Sequence, residues 1–313
     1  MNILITGGAG FIGKTLANKL IEQGISTTII DIKNDNSLVA TDKIIHIQGD
    51  VCEPSIMKRV FSNQIFDGIV HLAAVSRVIE AENNPDECWR TNVGGVKTLL
   101  KAIEQSTQKP WLIFGSSREV YGEPQSLPVK ESDAKKAVNI YGESKIEGER
   151  LFTDFAHNQN LNCAIVRFSN VYGNRFDIFD RVIPRFIRAI ATGNTLTIEG
   201  GEQLIDFTHI DDTVNSLIKL IDYLGNNEVI QTEFHFCPGF GWSLYDLISS
   251  IEQAIGKTAS IKVNHKRNYD VVKFVGDTTK IKTELGLEQF LHLQEGIQKS
   301  ISEYLYDMEL SAK

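Results

Sequence analysis

Asn2-Ile3-Leu4-Ile5-Thr6-Gly7-Gly8-Ala9-Gly10-Phe11-Ile12-Gly13 decides how the chain is read. An apolar run passes into a glycine turn and then into a stretch of helical period. In a doubly wound sheet such a turn lets backbone approach a pyrophosphate, which then sits on the positive end of the helix dipole. Gly7 and Gly10 would serve the tight turn and the close approach, and Gly13 would let the helix pack on the strand. Alone, the pattern is a strand–helix turn. Its context adds the next apolar run, Ser26–Asp31, which ends in an acid at the distance where a carboxylate takes ribose hydroxyls. Asp31 would repel a 2′-phosphate, which favours NAD over NADP; Lys33 pulls the other way.

Outward from this motif, short β-branched segments alternate with longer helical ones, the pattern of repeated βα units around a parallel sheet. Strands are expected at 2–6, 26–31, 44–48, 68–72, 111–116 and 163–168, and helices at 13–23, 54–63, 85–105 and 140–158. That is an α/β, doubly wound parallel sheet running to about residue 170. After Asn174 the rhythm breaks into an amphipathic stretch at 182–192, a turn at Gly200-Gly201, and short strands and helices. The expected division is a dinucleotide-binding domain over 1–173 and a smaller, mainly substrate-binding α/β lobe over 174–313. Some later segments are free to return to the sheet, and a cleft is expected between the lobes.

The 313 residues are 42% hydrophobic and 23% charged, enough to bury a substantial core. A formal net charge of -8 without a basic run argues against nucleic acid or an anionic membrane as partner. Cys52, Cys88, Cys163 and Cys237 lie far apart, which suggests neither a zinc site nor a disulfide framework and no metal. A strand at residue 2 leaves no room for a secretory leader, and no apolar run approaches ~20 residues. The expected location is the cytoplasm.

Tyr141 and Lys145 lie four apart on an expected helix, on one face and within mutual reach. A phenol of ordinary pKa ~10 is no base at neutral pH unless positive charge favours the phenolate. Lys145 and a bound nicotinium ring would supply that charge. Tyr141 would then take a sugar hydroxyl proton as hydride leaves the same carbon.

Several motifs recur in order: Gly7 to Gly13, Asp31, Gly49-Asp50-Val51, His71-Leu72-Ala73-Ala74, Thr91-Asn92-Val93-Gly94, Ser116-Ser117-Arg118-Glu119-Val120-Tyr121-Gly122, Tyr141-Gly142-Glu143-Ser144-Lys145 and Arg167-Phe168-Ser169-Asn170-Val171-Tyr172-Gly173. Together they resemble the extended short-chain dehydrogenase/reductase superfamily, in its Rossmann-like, NAD-dependent epimerase/dehydratase branch acting on nucleotide sugars. Asp206-Phe207-Thr208-His209-Ile210-Asp211-Asp212 and Gly276-Asp277-Thr278-Thr279-Lys280 also resemble family segments.

The resemblance implies that Phe11, Ile12, Asp50, Val51, Leu72, Ala73, Ala74 and Asn92 join the glycines and Asp31 at the cofactor. It makes Tyr141 the base and Lys145 the residue that holds the phenolate and the nicotinamide ribose, with Ser117 on the reacting hydroxyl. It places Asn170 and Arg267 at a nucleotide-diphosphate sugar, to which Ser76, Arg118 and Arg185 are added as candidate substrate ligands. It also implies a homodimer through a bundle of the 85–105 and 140–158 helices, in which Val93, Val96, Leu99, Ile103, Ile146, Leu151 and Phe155 fill inner and outer faces.

Such enzymes share a transient 4-keto sugar and differ in how that intermediate is consumed. The leading expectation is a 4-epimerase working on a UDP-hexose or UDP-hexuronate. Glu119 resembles the glutamate of dehydratases and uronate decarboxylases, so a 4,6-dehydratase or a UDP-uronate decarboxylase is the alternative. Arg118 stands where one dehydratase group has an aspartic acid proton donor, and arginine cannot donate a proton at neutral pH. Its fork would suit a substrate carboxylate, or it pairs with Glu119. Ile205 stands where many relatives have a diphosphate arginine; Arg267 resembles the second such arginine, and Arg181, Arg185 and Arg188 are candidates to supply the missing charge. A reductase that releases NADH and a non-catalytic NAD-binding regulator are further alternatives.

Overall fold

Strand β1 (Asn2–Thr6) is apolar on both faces because it lies inside a parallel sheet covered by helices, where alternation gives way to a continuous apolar run. The computed structural model describes all residues except 35–42, 228–230, 268 and 312–313, so Asn268 of the Arg267 motif lies outside the described residues. After β1 come α1 (Phe11–Glu22), β2 (Ser26–Asp31), β3 (Ile44–Gln48), α2 (Pro54–Asn63), β4 (Gly68–His71), α3 (Val78–Asn83), α4 (Pro85–Trp89), α5 (Gly95–Ser106), β5 (Trp111–Ser117), α6 (Ile140–Gln159) and β6 (Cys163–Phe168). The second half adds β7 (Asn170–Tyr172), α7 (Val182–Thr192), β8 (Leu196–Glu199), β9 (Ile205–His209), α8 (Ile210–Asn226), β10 (Gln231–Phe236), β11 (Gly241–Trp242), α9 (Leu244–Ile255), β12 (Ile261–Asn264), α10 (Thr279–Leu285) and α11 (Leu293–Ser311).

The chain divides into two compact units, neither continuous in sequence. Met1–Gly122, Ala134–Phe168 and Val214–Phe234 form the first, and Glu123–Asp133, Ser169–Thr213 and His235–Lys313 the second. Relative to the boundary expected at 173, 214–234 groups with the sheet, and 123–133 and 169–173 with the second unit.

In the first unit a seven-stranded sheet runs β10-β6-β5-β4-β1-β2-β3, with β1 parallel to both β2 and β4. The chain order reverses at the β4/β1 junction, the place where open α/β sheets leave a crevice beyond the strand carboxyl ends. One face is packed by Met57, Val60 and Phe61 of α2, Val96, Leu99 and Ile103 of α5, and Phe152 and Ala156 of α6 against Leu4, Ile69, Leu112 and Ile165. Truncating a side chain as enclosed as Phe152 would cost about 3–5 kcal/mol.

The expected single helix over 85–105 is interrupted by a π-helical turn at Arg90–Gly94. Helix α1 starts at Phe11, two residues before the expected 13, because Gly10 already serves as its N-cap.

In the second unit β9 pairs in parallel with β7 and antiparallel with β11, while β8 pairs in parallel with β12. Its core joins Ile183, Phe186, Ile187 and Ile190 of α7 to Leu244, Leu247 and Ile251 of α9 and to Leu293 and Ile297 of α11. Helix α9 is fixed at its start by a reciprocal Ser243–Asp246 capping box. Among the described residues no helix is long and apolar enough to cross a membrane.

Candidate active site

Gly7 adopts φ +72°, and a Cβ there would lie 2.7 Å from the backbone nitrogen of Ala73, so only glycine lets β1 turn this close to the chain leaving β4. A Cβ on Gly13 would meet the Gly7 carbonyl at 2.3 Å, which is how closely α1 approaches the strand. No side chain caps the start of α1, so its first N–H groups are left for an outside acceptor. Phe11 and Ile12 open that turn. Asp31, at the end of β2, accepts hydrogen bonds from the backbone N–H of Ala9 at 3.0 Å and of Lys33 at 3.0 Å, tying the glycine turn to the acid.

After β3, Asp50 accepts from Cys52 N–H at 2.8 Å and pairs with Arg90 at 2.9 Å. Burial works against its charge, yet these contacts hold the carboxyl below its ordinary pKa. Val51 is buried beside it, and Leu72, Ala73 and Ala74 are half-buried as they leave β4. Ser76 is exposed. Asn92, turned inward by the π-helical turn, accepts from Val75 N–H at 2.7 Å and donates to the Val75 carbonyl and to Ser144 Oγ. Its amide thus holds the 73–76 loop against α6.

Helix α6 starts from an Asn139 cap whose side chain accepts from Gly142 N–H. Tyr141 packs with Val75, Val78, Ala81 and Cys88. Lys145 lies beneath it, 4% exposed, with Nζ 5.8 Å from the Tyr141 ring centroid and donating to the Gly115 carbonyl at 2.7 Å. Burial lowers the Lys145 pKa from 10.5 to about 8. Ser117 ends β5 and caps the 3-10 turn Arg118–Tyr121, accepting from Glu119 N–H at 3.2 Å. Arg118 pairs with Glu119 at 3.0 Å, both almost wholly buried, and the other Glu119 oxygen accepts from Asn139 at 2.8 Å. The structure thus brings Ser117, Arg118, Glu119, Tyr141 and Lys145 to the meeting of β5 and α6.

Asn170, Arg185 and Arg267 belong to the second unit. The Asn170 amide nitrogen is shut off from solvent with no hydrogen-bond partner among the described residues, a polar group a ligand would satisfy. Arg185 is depressed below the ordinary arginine pKa first by burial and then by the nearby Arg267 charge. Arg267 itself pairs with Asp270 at 2.8 Å. Two neighbouring guanidiniums suit an anion. Arg181 is drawn to Asp177 at 3.6 Å, and Arg188 stacks on Phe179 at 4.4 Å, which leaves Arg185 as the one of the three set beside Arg267. Ile205 starts β9 opposite Trp242 and packs on the apolar core.

Residues 3–231 match the NAD dependent epimerase/dehydratase family. The chain belongs to that family. It is 30% identical to the bifunctional UDP-glucose 4-epimerase and UDP-xylose 4-epimerase 3 of Arabidopsis thaliana, over 91% of this chain and 90% of that protein. Among solved structures it resembles the UDP-glucose 4-epimerase of Thermotoga maritima with UDP-glucose, at TM-score 0.90 and 27% identity over 98% of this chain and 100% of that one. It also resembles the UDP-glucuronic acid 4-epimerase of Bacillus cereus in complex with UDP-glucuronic acid and NAD, at TM-score 0.90 and 26% identity over 99% and 100% of the two chains.

In this member of the epimerase/dehydratase family, sequence reasoning missed the groups behind Tyr141 and Lys145. Glu149, on the Tyr141 and Lys145 face, is 2% exposed and forked by Arg167 of β6, itself 1% exposed. The signal was available: Cys163-Ala164-Ile165-Val166-Arg167-Phe168 carries a charge inside an otherwise apolar strand, which requires a buried partner.

Proposed function

We propose that the chain is an NAD-dependent UDP-sugar 4-epimerase that acts on a UDP-hexose or UDP-hexuronate through a transient 4-keto sugar. The observation that carries the reading is Lys145, fixed on the Gly115 carbonyl beneath Tyr141, two residues along β5 from Ser117. The uncapped start of α1, the close glycine turn and Asp31 fit a dinucleotide, and Asp50 with Val51 fits its adenine end. Bound NAD supplies the hydride acceptor. Tyr141 takes the proton of the sugar 4-hydroxyl, Lys145 stabilises the phenolate by its positive charge, and the Ser117 hydroxyl orients the reacting oxygen. The same three groups return the proton when the sugar is reduced from its other face. Asn170, Arg185 and Arg267 are assigned to the nucleotide diphosphate, the last two through their paired charge.

Elimination or decarboxylation routed through Glu119 is disfavoured, because its two oxygens are committed to Arg118 and Asn139. That commitment also engages Arg118 Nη2, so uronate preference is tested directly: equal turnover of UDP-glucose and UDP-glucuronic acid removes a carboxylate role for Arg118. A homodimer is proposed through α6. Val93, Val96, Leu99 and Ile103 are buried, whereas Ile146 stays half-buried, as do Leu151 and Phe155, packed on the rim of the core. Light scattering on the purified protein checks this. The spacing of the four cysteines supports a cytoplasmic location. The deciding experiment is Tyr141→Phe, which should retain NAD and lose 4-epimerisation of UDP-sugars by at least about a hundredfold. Full turnover in that variant would sink the proposal.

A further inference from the structure

Glu149 stands four residues beyond Lys145 and eight beyond Tyr141, so the three side chains rise along one face of α6. Its Oε1 accepts from Ser116 Oγ at 2.6 Å and Arg167 Nε at 2.9 Å, and its Oε2 from Arg167 Nη2 at 2.9 Å and Lys135 Nζ at 2.9 Å. Arg167 donates further, from Nη1 to the Tyr121 hydroxyl at 2.6 Å and from Nη2 to Glu233. These grips bracket the segment that presents Ser117, since Ser116 precedes it and Tyr121 closes the 3-10 turn on its far side. Gly115 of the same strand accepts the Lys145 ammonium. The hydroxyl side and the phenol–ammonium side are therefore both referred to one ion pair.

A pair this deeply buried is a poor source of stability, because desolvating two charges offsets most of their attraction. What a bidentate guanidinium–carboxylate contact supplies is fixed distance and fixed plane. We propose that Glu149 and Arg167 are a positioning pair that sets where the Ser117 hydroxyl stands relative to Tyr141 and Lys145. The inference rests on the reading of those three groups as the proton-handling set.

Ser116→Ala and Tyr121→Phe each remove one grip, alter no charge, and touch no member of that set. Arg167→Lys keeps the charge and loses the fork. For each, kcat and KM for UDP-glucose are measured beside NAD content and Tm. The expected result is a kcat lowered on the order of tenfold in the grip variants and a hundredfold in Arg167→Lys, with KM within about twofold and NAD content unchanged. A merely structural role would lower Tm and NAD content and leave kcat per folded molecule intact. Wild-type kcat in both Ser116→Ala and Tyr121→Phe overturns the proposal, even should Arg167→Lys fail to fold. Tyr141→Phe is run alongside. Retained turnover there would fault the acid–base reading, whereas an inactive Tyr141→Phe beside fully active grip variants would fault the positioning pair alone.

Discussion

Deprotonating Lys145 should switch the enzyme off from the alkaline side. The ammonium is packed 5.0 Å from the Phe114 ring centroid and bonded to the Gly115 carbonyl. Burial disfavours its charged form and brings its pKa to about 8, with Cys88 and Glu149 acting in the other direction. The proposed reaction needs this proton in place as Tyr141 takes another, so the competent fraction halves near pH 8 and falls about tenfold per further unit.

Stability runs the opposite way. Above about pH 8 the folded protein loses the proton that the unfolded chain keeps until about 10.5, so the unfolded state binds more protons in that window. Folding free energy from this group therefore becomes more favourable by roughly 3 kcal/mol across it. Loss of turnover above pH 8 without any loss of Tm from this group is the expected signature. The assay is kcat at saturating UDP-glucose from about pH 6.5 to about 9.5, with thermal melts at each pH. Lys145→Arg is the reference: its guanidinium does not deprotonate, so kcat drops overall and the alkaline limb disappears. A wild-type kcat flat to about pH 9.5, or an unchanged limb in Lys145→Arg, refutes the reasoning.

Gly13→Ala forces a Cβ against the Gly7 carbonyl, where 2.3 Å separates them, and should cost about 1–3 kcal/mol in thermal or denaturant unfolding and strip NAD from the purified protein. Asp31→Asn removes the charge assigned to the ribose while keeping an acceptor for Ala9; the ratio of NADP to NAD dissociation constants, measured by calorimetry, should narrow about tenfold. Arg185→Met should raise KM for the UDP-sugar about tenfold with kcat little changed, and Tm should hold or rise because a like charge beside Arg267 is gone. An unaltered KM would remove Arg185 from the diphosphate assignment.

Much of the first unit was legible because its central strands are buried on both faces, while the edge strand β3, partly exposed, still carries an isoleucine run. The spans 2–6, 26–31, 44–48 and 163–168 begin and end where the apolar runs do. The π-helical turn at Arg90–Gly94 was not, since inserting it leaves the apolar spacing of Val93, Val96, Leu99 and Ile103 readable as one helix. Its consequence, an inward Asn92 clasping Val75, was invisible for the same reason. The Asn139–Glu119 and Glu149–Arg167 contacts depend on how α6 meets β5 and β6, which periodicity along one element does not encode. Ser117 was readable both as a turn cap and as a substrate ligand; the cap is what the structure shows, its oxygen accepting from Glu119 N–H, and a cap through the oxygen is compatible with the donor role proposed for its O–H.

The stripe on α6 orders its groups by depth: Tyr141 is 8% exposed, Lys145 4% and Glu149 2%. Electrostatic interactions strengthen along that gradient as solvent is excluded. At its base the Glu149 carboxylate, held below its ordinary pKa against burial by Arg167, Lys135 and Ser116, is a permanent negative charge. That charge favours the protonated form of Lys145, which burial otherwise opposes. In the proposed mechanism the Lys145 ammonium is the group that stabilises the phenolate, so the Glu149 charge bears on that step through Lys145. Substituting Glu149 should consequently move the alkaline limb of kcat to lower pH before it disturbs sugar binding, an order of effects that a simple loss of packing would not produce.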